Sequence, residues 1–310
     1  MDVSVVIPCH NAADNISRLL DGLSKQTLDP SRYEILLVDD GSTDDSAAIA
    51  SSFSRVQILH HSCTSGPGAS RNFGADEACG RIILFLDSDL QVSPDLLEKH
   101  LNAHSLIPNL AAAGGSVLPL GEPGIFSWQL ADHLSSWFNA HSKVKYSRPP
   151  EYLPSLNFSI DRTSVLANRN LRWASGLMHT GEDVLYCHAL KVAGLRLAFI
   201  PDATVFHQDR MALRGYTMHM YRWGEHAPFV RGEIKNLQYS FLFPRQPWLQ
   251  ALFLPIILIG YTFLVWKSWL PTRPFQVTLM LPQLIFGRLA YIFGVMNGSI
   301  ARWKEGRSGR

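Results

Sequence analysis

Charged side chains are scarce in this 310-residue chain, at 17% of the sequence against roughly 25% in an average soluble protein. Cysteines are also few, and their spacing contains no CxxC pair. This spacing excludes a zinc ribbon or a redox-active dithiol and is typical of reduced thiols in a cytoplasmic protein. No basic segment or cleavage site follows Met1, so we expect no signal peptide. The four cysteines are Cys9, Cys63, Cys79 and Cys187.

Basic residues are concentrated at the C-terminal end of the chain. Residues 1–241 contain 20 Lys or Arg and 25 Asp or Glu, whereas 242–310 contain eight against Glu305 alone, giving −5 and +7. Two apolar runs, 249–266 and 275–295, approach the roughly 20 residues that span a bilayer. We therefore predict one domain over 1–241 and an apolar, basic, helical region over 242–310. The charge pattern favours a membrane surface as partner and disfavours nucleic acid.

The two apolar runs are compatible with a membrane-spanning hairpin, a pair of helices in the interface, or a C-terminal core. Pro255 and Arg288 weaken the spanning interpretation. The connector 267–274 and the last residues are basic, and such residues prefer the cytoplasmic side. We therefore expect a peripheral, monotopic or short-hairpin attachment to the cytoplasmic face of the cell membrane.

Strands and helices alternate along the first 120 residues. Alternation of this kind predicts an α/β fold with a doubly wound, mostly parallel sheet. In a later helix, Leu185, Ala189 and Val192 share one face, and Gly194 ends the helix. Predicted strands lie at 3–8, 35–38, 56–59, 81–86, 111–117, 156–160, 197–200 and 204–206. Predicted helices lie at 16–23, at 42–53 with a cap at Ser42-Thr43, from 66 onward, at 126–138 and after 180–183.

The first strand does not end in G-x-G-x-x-G, which is evidence against a dinucleotide site. It ends in Pro8-Cys9-His10-Asn11. A nucleotidyltransferase would be expected to have a basic, Gly-rich loop at this position. Nucleotidyl transfer is therefore an alternative function with less support.

Two carboxylates follow the buried-looking strand 82–86, in the triplet Asp87-Ser88-Asp89. Ligands bind at the carboxyl edge of an open α/β sheet. Hard divalent cations take oxygen ligands and leave room for substrate phosphates. A solvated turn is the alternative for this triplet taken alone.

Two further segments are ambiguous when each is taken alone. Asp39-Asp40 ends the second strand and favours either hydrogen bonds to a nucleobase or ribose, or a turn with a helix cap. The segment 66–72, Gly-Pro-Gly-Ala-Ser-Arg-Asn, places small residues and a cation at a helix N-terminus. That arrangement suits a diphosphate, although Gly-Pro-Gly is also ordinary turn chemistry.

Taken together, these segments resemble the family 2 glycosyltransferases of the GT-A fold. The resemblance covers about 210 residues, with five segments in the family's order and at its approximate spacing. They are Val-Val-Ile-Pro-Cys-His-Asn (5–11), Val-Asp-Asp-Gly-Ser-Thr-Asp (38–44), Gly-Pro-Gly-Ala-Ser-Arg-Asn-Phe-Gly (66–74), Phe-Leu-Asp-Ser-Asp (85–89) and Gly-Glu-Asp (181–183).

The resemblance implies a binding site for a nucleotide-diphosphate sugar donor. Pro8 and Asp40 would border the base, with Asp39 beside them. Gly68 and Arg71 would lie near the diphosphate.

The resemblance also implies a metal site and a catalytic base. Asp87 would face the ribose and the sugar, and Asp89 would hold Mg²⁺ or Mn²⁺ against the phosphates. His207 matches a position that in this family often completes the metal site or contacts phosphate. Asp183 would be the base that deprotonates the acceptor hydroxyl, and Glu182 is its competitor for that role.

The reaction implied is direct displacement with inversion, moving one sugar to a hydroxyl of a glycan or a lipid-linked acceptor, as in cell-envelope polysaccharide biosynthesis.

Two segments depart from the family. His10-Asn11-Ala12 replaces a Tyr-Asn-Glu triplet, which puts base contacts there in doubt. At 219–223, His replaces the Gln of the Gln-x-x-Arg-Trp motif of processive synthases, so we expect a non-processive enzyme. Arg222 and Trp223 are candidates for the acceptor side, and an amphipathic helix that packs through its aromatic residue is the alternative. A non-catalytic nucleotide-sugar-binding protein is the other alternative, but it would be expected to have lost Asp89 or Asp183.

Overall fold

The computed structural model describes residues 1–61, 64–146, 150–175, 180–234 and 237–308. Contacts divide the chain into two compact units. Unit 1 comprises Met1–Leu120, Ala140–Met178 and Glu182–Gln208, and unit 2 comprises Gly121–Asn139, His179–Gly181 and Asp209–Arg310. The boundary predicted between 241 and 242 does not coincide with this division, and the assignment of domains stays a prediction. Cys63 lies outside the described residues, while Cys9, Cys79 and Cys187 are free thiols.

Strands and helices are numbered in chain order. The strands are β1 (Val3–Cys9), β2 (Tyr33–Asp39), β3 (Val56–His60), β4 (Ile82–Leu86), β5 (Leu90–Val92), β6 (Leu110–Pro119), β7 (Asn157–Asp161) and β8 (Arg196–His207). The helices of unit 1 are α1 (Ile16–Ser24), α2 (Ser46–Ser51), α3 (Pro67–Glu77), α4 (Leu96–Leu106), α6 (Arg162–Leu166) and α7 (Glu182–Val192). Those of unit 2 are α5 (Trp128–Ser136), α8 (Leu213–Glu233), α9 (Pro247–Trp269), α10 (Pro274–Leu279) and α11 (Leu281–Ser308).

Unit 1 is built on an eight-stranded mixed sheet in the order β3-β2-β1-β4-β7-β6-β8-β5. The first four strands of that order run parallel, as the alternation predicted. β7 is antiparallel to β4 and to β6, and β5 is antiparallel to β8. The connection from β6 to β7 passes through Gly121–Asn139 of unit 2, so it is not the single-helix crossover that keeps strands parallel.

Two local expectations in unit 1 are corrected. α2 begins at Ser46 after Asp45, not at a cap formed by Ser42-Thr43. The strands predicted at 197–200 and 204–206 are the two ends of β8, which continues through a register shift.

The face of α7 that Leu185, Ala189 and Val192 share is only partly buried. Leu185 and Ala189 are half-buried and Val192 is exposed, whereas Val184, Tyr186 and Leu190 are buried. Tyr186 stacks on Trp173 with ring centroids 4.1 Å apart, so this aromatic contact lies on the more deeply buried side of the helix.

Two histidines of α4 lie in the core of unit 1. His100 bonds to the Ser159 hydroxyl (2.8 Å) and to Asn157 Oδ1 (2.9 Å), and His104 Nε2 lies 2.9 Å from the same hydroxyl. Burial lowers the pKa of each histidine to about 4. Both rings are therefore neutral in the folded protein at neutral pH.

We expect this histidine pair to make stability fall on acidification. Between about pH 6.5 and the folded pKa of about 4, the unfolded chain binds more protons than the folded one. The stability that the two neutral histidines contribute is fully present above pH 6.5 and is lost as pH falls from 6.5 to about 4. Below that pH the loss levels off. Melting temperatures measured from pH 7 to 4 should show the loss. A His100→Gln/His104→Gln variant should be less sensitive to pH, whereas the exposed His10→Gln variant should match wild type.

Unit 2 contains a helix pair joined through glycines. A Cβ atom on Gly224 of α8 would lie 1.9 Å from the Tyr291 carbonyl oxygen of α11. Cβ atoms on Gly294 and Gly298 would lie 2.0 and 1.9 Å from α8 carbonyl oxygens. The two backbones therefore touch, and no larger side chain fits at this crossing.

Unit 2 also buries polar groups along its apolar helices. The Arg288 guanidinium lies 3.7 Å from the Tyr261 ring centroid and donates to the Ser135 carbonyl (3.1 Å). Trp269 Nε1 donates to the Leu134 carbonyl (2.9 Å).

Among the described residues, two helices are long and apolar enough to cross a membrane by length and composition, Pro247–Trp269 and Leu281–Glu305.

Candidate functional site

The carboxyl ends of β1 and β2 carry the residues predicted to border a base. Pro8 and Val38 are partners in the parallel register. Asp39 accepts from the Ser42 amide (3.1 Å) and lies 3.2 Å from His60 Nδ1. Burial raises the pKa of Asp39, but the hydrogen bonds from Ser42 and His60 outweigh it, and the pKa lies below its usual value.

Asp40 binds the backbone of the two residues that precede α3. Its two carboxylate oxygens accept from the amides of Ser65 and Gly66, each at 2.8 Å. The anion bound by these two amides is thus Asp40 itself.

A strand pairing brings together the predicted metal ligands. β5 follows the Asp87-Ser88-Asp89 triplet at once, and Leu90 pairs with His207 at the end of β8. Asp89 Oδ2 therefore lies 3.5 Å from His207 Nε2, with the carboxylate about a third exposed (36%) and the imidazole almost buried (5%).

This pair fits a divalent cation. Donor atoms 3.5 Å apart are close enough to share one ion, since such metals bind nitrogen and oxygen at about 2.0–2.2 Å. Within the described part of the chain, no group of three or more His, Cys, Asp or Glu side chains could hold a metal. A site with two protein ligands is typical of cations that complete their shell with substrate phosphates and water.

Arg71 joins the strand edge to the start of α7. Its guanidinium is 2% exposed and pairs with Asp87 Oδ1 through Nη2 (2.8 Å) and with Glu182 Oε1 through Nη1 (3.3 Å). Its charge also lies over the Trp173 ring, 5.0 Å from the centroid. The residue predicted near a diphosphate thus has two carboxylate partners of its own.

The two acids at the start of α7 have different surroundings. Glu182 is buried and paired with Arg71, whereas Asp183 is half-buried and accepts from the Val184 amide (2.8 Å). Burial and the neighbouring Glu182 carboxylate raise the pKa of Asp183 to about 7. A carboxylate with such a pKa suits a general base near neutral pH.

The residues predicted for the acceptor side lie on α8 of unit 2. Arg222 is exposed and Trp223 is half-buried. The His219 ring contacts Trp223 edge-on at 4.7 Å, and its Nδ1 lies 2.6 Å from the buried Asp132 carboxylate. Their role toward an acceptor stays a prediction.

Sequence reasoning missed Trp173 and the partners of Gly68 and Asn72. Asn72 accepts from the Trp173 amide (3.0 Å) and donates to its carbonyl (2.9 Å). A Cβ on Gly68 would lie 2.0 Å from the Ala174 carbonyl oxygen. Nothing in the sequence around Trp173 marks this contact.

Two solved structures share the fold of this chain. The fold matches S. aureus TarS residues 1–349 in complex with UDP-GlcNAc, with a TM-score of 0.56 and 18% identity over 100% of this chain and 93% of that one. It also matches the mannosyltransferase PcManGT from Pyrobaculum calidifontis in complex with GDP-Man and Mn²⁺, with a TM-score of 0.61 and 17% identity over 94% and 86%.

Sequence comparison gives the family. Residues 4–162 match the description Glycosyl transferase family 2. The pre-mycofactocin glycosyltransferase of Mycobacterium tuberculosis is 30% identical over 219 residues, which are 69% of this chain and 44% of that protein. The chain thus spans less than half the length of this relative. It belongs to glycosyl transferase family 2, and the predicted family and fold are confirmed.

Proposed function

We propose that this protein is an inverting glycosyltransferase that moves one sugar from a nucleotide-diphosphate sugar to a hydroxyl acceptor. The observation that carries the proposal is the contact chain from Asp87 through Arg71 to Glu182. In this chain a single guanidinium contacts both a carboxylate at the sheet edge, Asp87, and an acid at the start of α7, Glu182. Donor complexes of TarS and PcManGT, which share the fold, support a nucleotide sugar as donor.

The chain's own residues supply binding and proton transfer. Pro8 and Asp40 border the base, with Asp39 beside them, and Asp87 faces the ribose and sugar. Asp183 accepts the proton of the acceptor hydroxyl as its oxygen attacks the anomeric carbon opposite the leaving diphosphate, so configuration inverts. Asp89 and His207 would hold Mg²⁺ or Mn²⁺, which would neutralise charge on the leaving phosphate.

Ligand-dependent thermal stability tests the donor assignment. A nucleoside diphosphate with Mn²⁺ should raise Tm more than either alone, because binding to the folded state adds stability. A panel of UDP- and GDP-sugars identifies the nucleotide, with added EDTA as the control. If no nucleotide or nucleotide sugar changes Tm in the presence of Mn²⁺, the donor proposal is wrong.

We also propose that α9 and α11 lie flat on an anionic membrane leaflet at the cytoplasmic face. α9 has two faces: Gln250, Val265 and Trp269 are buried, while an exposed apolar stripe faces away from them. A crossing helix would have to withdraw this buried face from unit 2. The exposed stripe consists of Trp248, Leu252, Ile256, Ile259 and Phe263. The exposed Arg245 and Lys267 flank it and complement anionic lipid.

Vesicle co-sedimentation tests this attachment. Ile259→Glu/Phe263→Glu should reduce binding to phosphatidylglycerol vesicles at least about tenfold, because two charges enter the apolar contact. Leu106→Glu, on an exposed residue of unit 1, is the matched control and should bind like wild type. Resistance of full-length protein to alkaline carbonate would instead indicate a spanning hairpin. Self-association without lipid binding would make the stripe a contact between two copies.

A further inference from the structure

The first turns of α3 contact residues that lead into the acidic pair of α7. Gly68 lies against the Ala174 carbonyl, and Asn72 bonds both backbone groups of Trp173. Trp173 in turn stacks on Tyr186 of α7. The small-residue segment predicted to cradle a diphosphate therefore supports the segment around Trp173, on which α7 rests.

Arg71 stands at the centre of this arrangement. Its buried cation faces Asp87, Glu182 and the Trp173 ring at the same time. A buried charge is costly unless it is paired, so the guanidinium and the two carboxylates hold one another in place. The fork of a guanidinium can bind two carboxylates at fixed angles, which an ammonium does not do.

We propose that Arg71 is a positioning residue that acts through Glu182: it anchors Glu182, orients Asp183 as the base, and offsets the Glu182 charge beside it. Glu182 is then an anchor and not the base. This inference rests on the proposed function, because Asp183 needs an acceptor hydroxyl to deprotonate.

The electrostatic environment of Asp183 supports this division of roles. Glu182 raises its pKa and Arg71 lowers it, after the larger effect of burial. Cys187, one turn along α7, also interacts electrostatically with Asp183. Removal of the cation alone should leave Glu182 uncompensated next to the base.

The test is a double-mutant cycle on the pKa of Asp183, read by ¹³C NMR of the side-chain carboxyls and by the acid limb of the kcat–pH profile. Arg71→Met should raise this pKa by about one unit or more, and Glu182→Gln should lower it. In the double variant the pKa should match that of Glu182→Gln alone, because Arg71 acts through Glu182 and has no Glu182 charge left to offset. Arg71→Lys keeps the charge without the fork, so it should retain the pKa but lose activity.

Arg172→Met is the matched control, because Arg172 adjoins Trp173 but pairs with the surface residue Asp76 (2.7 Å). It should leave the Asp183 pKa unchanged. If Arg71→Met fails to fold, Arg71→Lys still decides, because full activity of that variant would show that the guanidinium fork is not needed. An unchanged Asp183 pKa in Glu182→Gln, or a double variant whose shift is the sum of the two single shifts, would overturn the inference. The NMR titration needs no turnover, so its result is separate from failure of the proposed glycosyl transfer.

Discussion

Asp89→Ala should abolish sugar transfer and remove the Mn²⁺ dependence of nucleotide binding. In the proposed mechanism Asp89 and His207, whose donor atoms lie 3.5 Å apart, would hold the metal, and loss of the carboxylate leaves a single imidazole. The metal would neutralise charge on the leaving phosphate, so turnover should fall to background. The measurement is the release of nucleoside diphosphate from the donor, together with Tm in nucleoside diphosphate with and without Mn²⁺.

The control for this variant is Asp21→Ala, which removes an exposed carboxylate from α1. It should keep both turnover and the metal-dependent rise in Tm. His207→Ala should weaken the metal dependence less than Asp89→Ala, since the carboxylate carries the charge. Equal stabilisation by nucleotide with Mn²⁺ and with chelator in wild type would remove the metal from the mechanism.

Asp183→Asn should lower transfer at least about a hundredfold while nucleotide affinity barely changes. The amide keeps the shape of the side chain but cannot take a proton, and the base acts on the acceptor. The pKa of Asp183 of about 7 adds a pH signature. Below pH 7 the base becomes protonated, so wild-type kcat should fall about tenfold per unit as pH decreases, and rise to a plateau above 7.

The comparison with Glu182→Gln separates the two acids of α7. Asp183→Asn should lose the acid limb of the profile, whereas Glu182→Gln should keep it at a shifted position. An active Asp183→Asn together with an inactive Glu182→Gln would show that the base is Glu182.

Local sequence patterns predicted the first half of unit 1 well. Apolar β-branched runs predicted β1, β2 and β4, because strands covered on both faces need such residues. The strand-end carboxylates then fall at the sheet edge by geometry alone. The resemblance to the family assigns Asp89 and His207 to a metal site, and the two side chains lie 3.5 Å apart; their role stays a prediction.

The remaining features depend on contacts between distant parts of the chain. The direction of β7 follows from a connection that passes through unit 2. The Arg71–Glu182 pair joins residues 111 positions apart. The segment that contains Arg71 has the composition of an anion-binding helix start, and only the packed structure reveals that protein carboxylates are its partners.

The stereochemistry of sugar release tests the central claim most directly. Full-length protein with Mn²⁺ and the α-linked nucleotide sugar that stabilises it should slowly hydrolyse this donor, with water as the acceptor. Time-resolved ¹H NMR identifies the first anomer before it equilibrates. A single displacement assisted by Asp183 predicts that the β anomer of the free sugar forms first. Release of the α anomer first, or no release from any nucleotide sugar, would contradict the account.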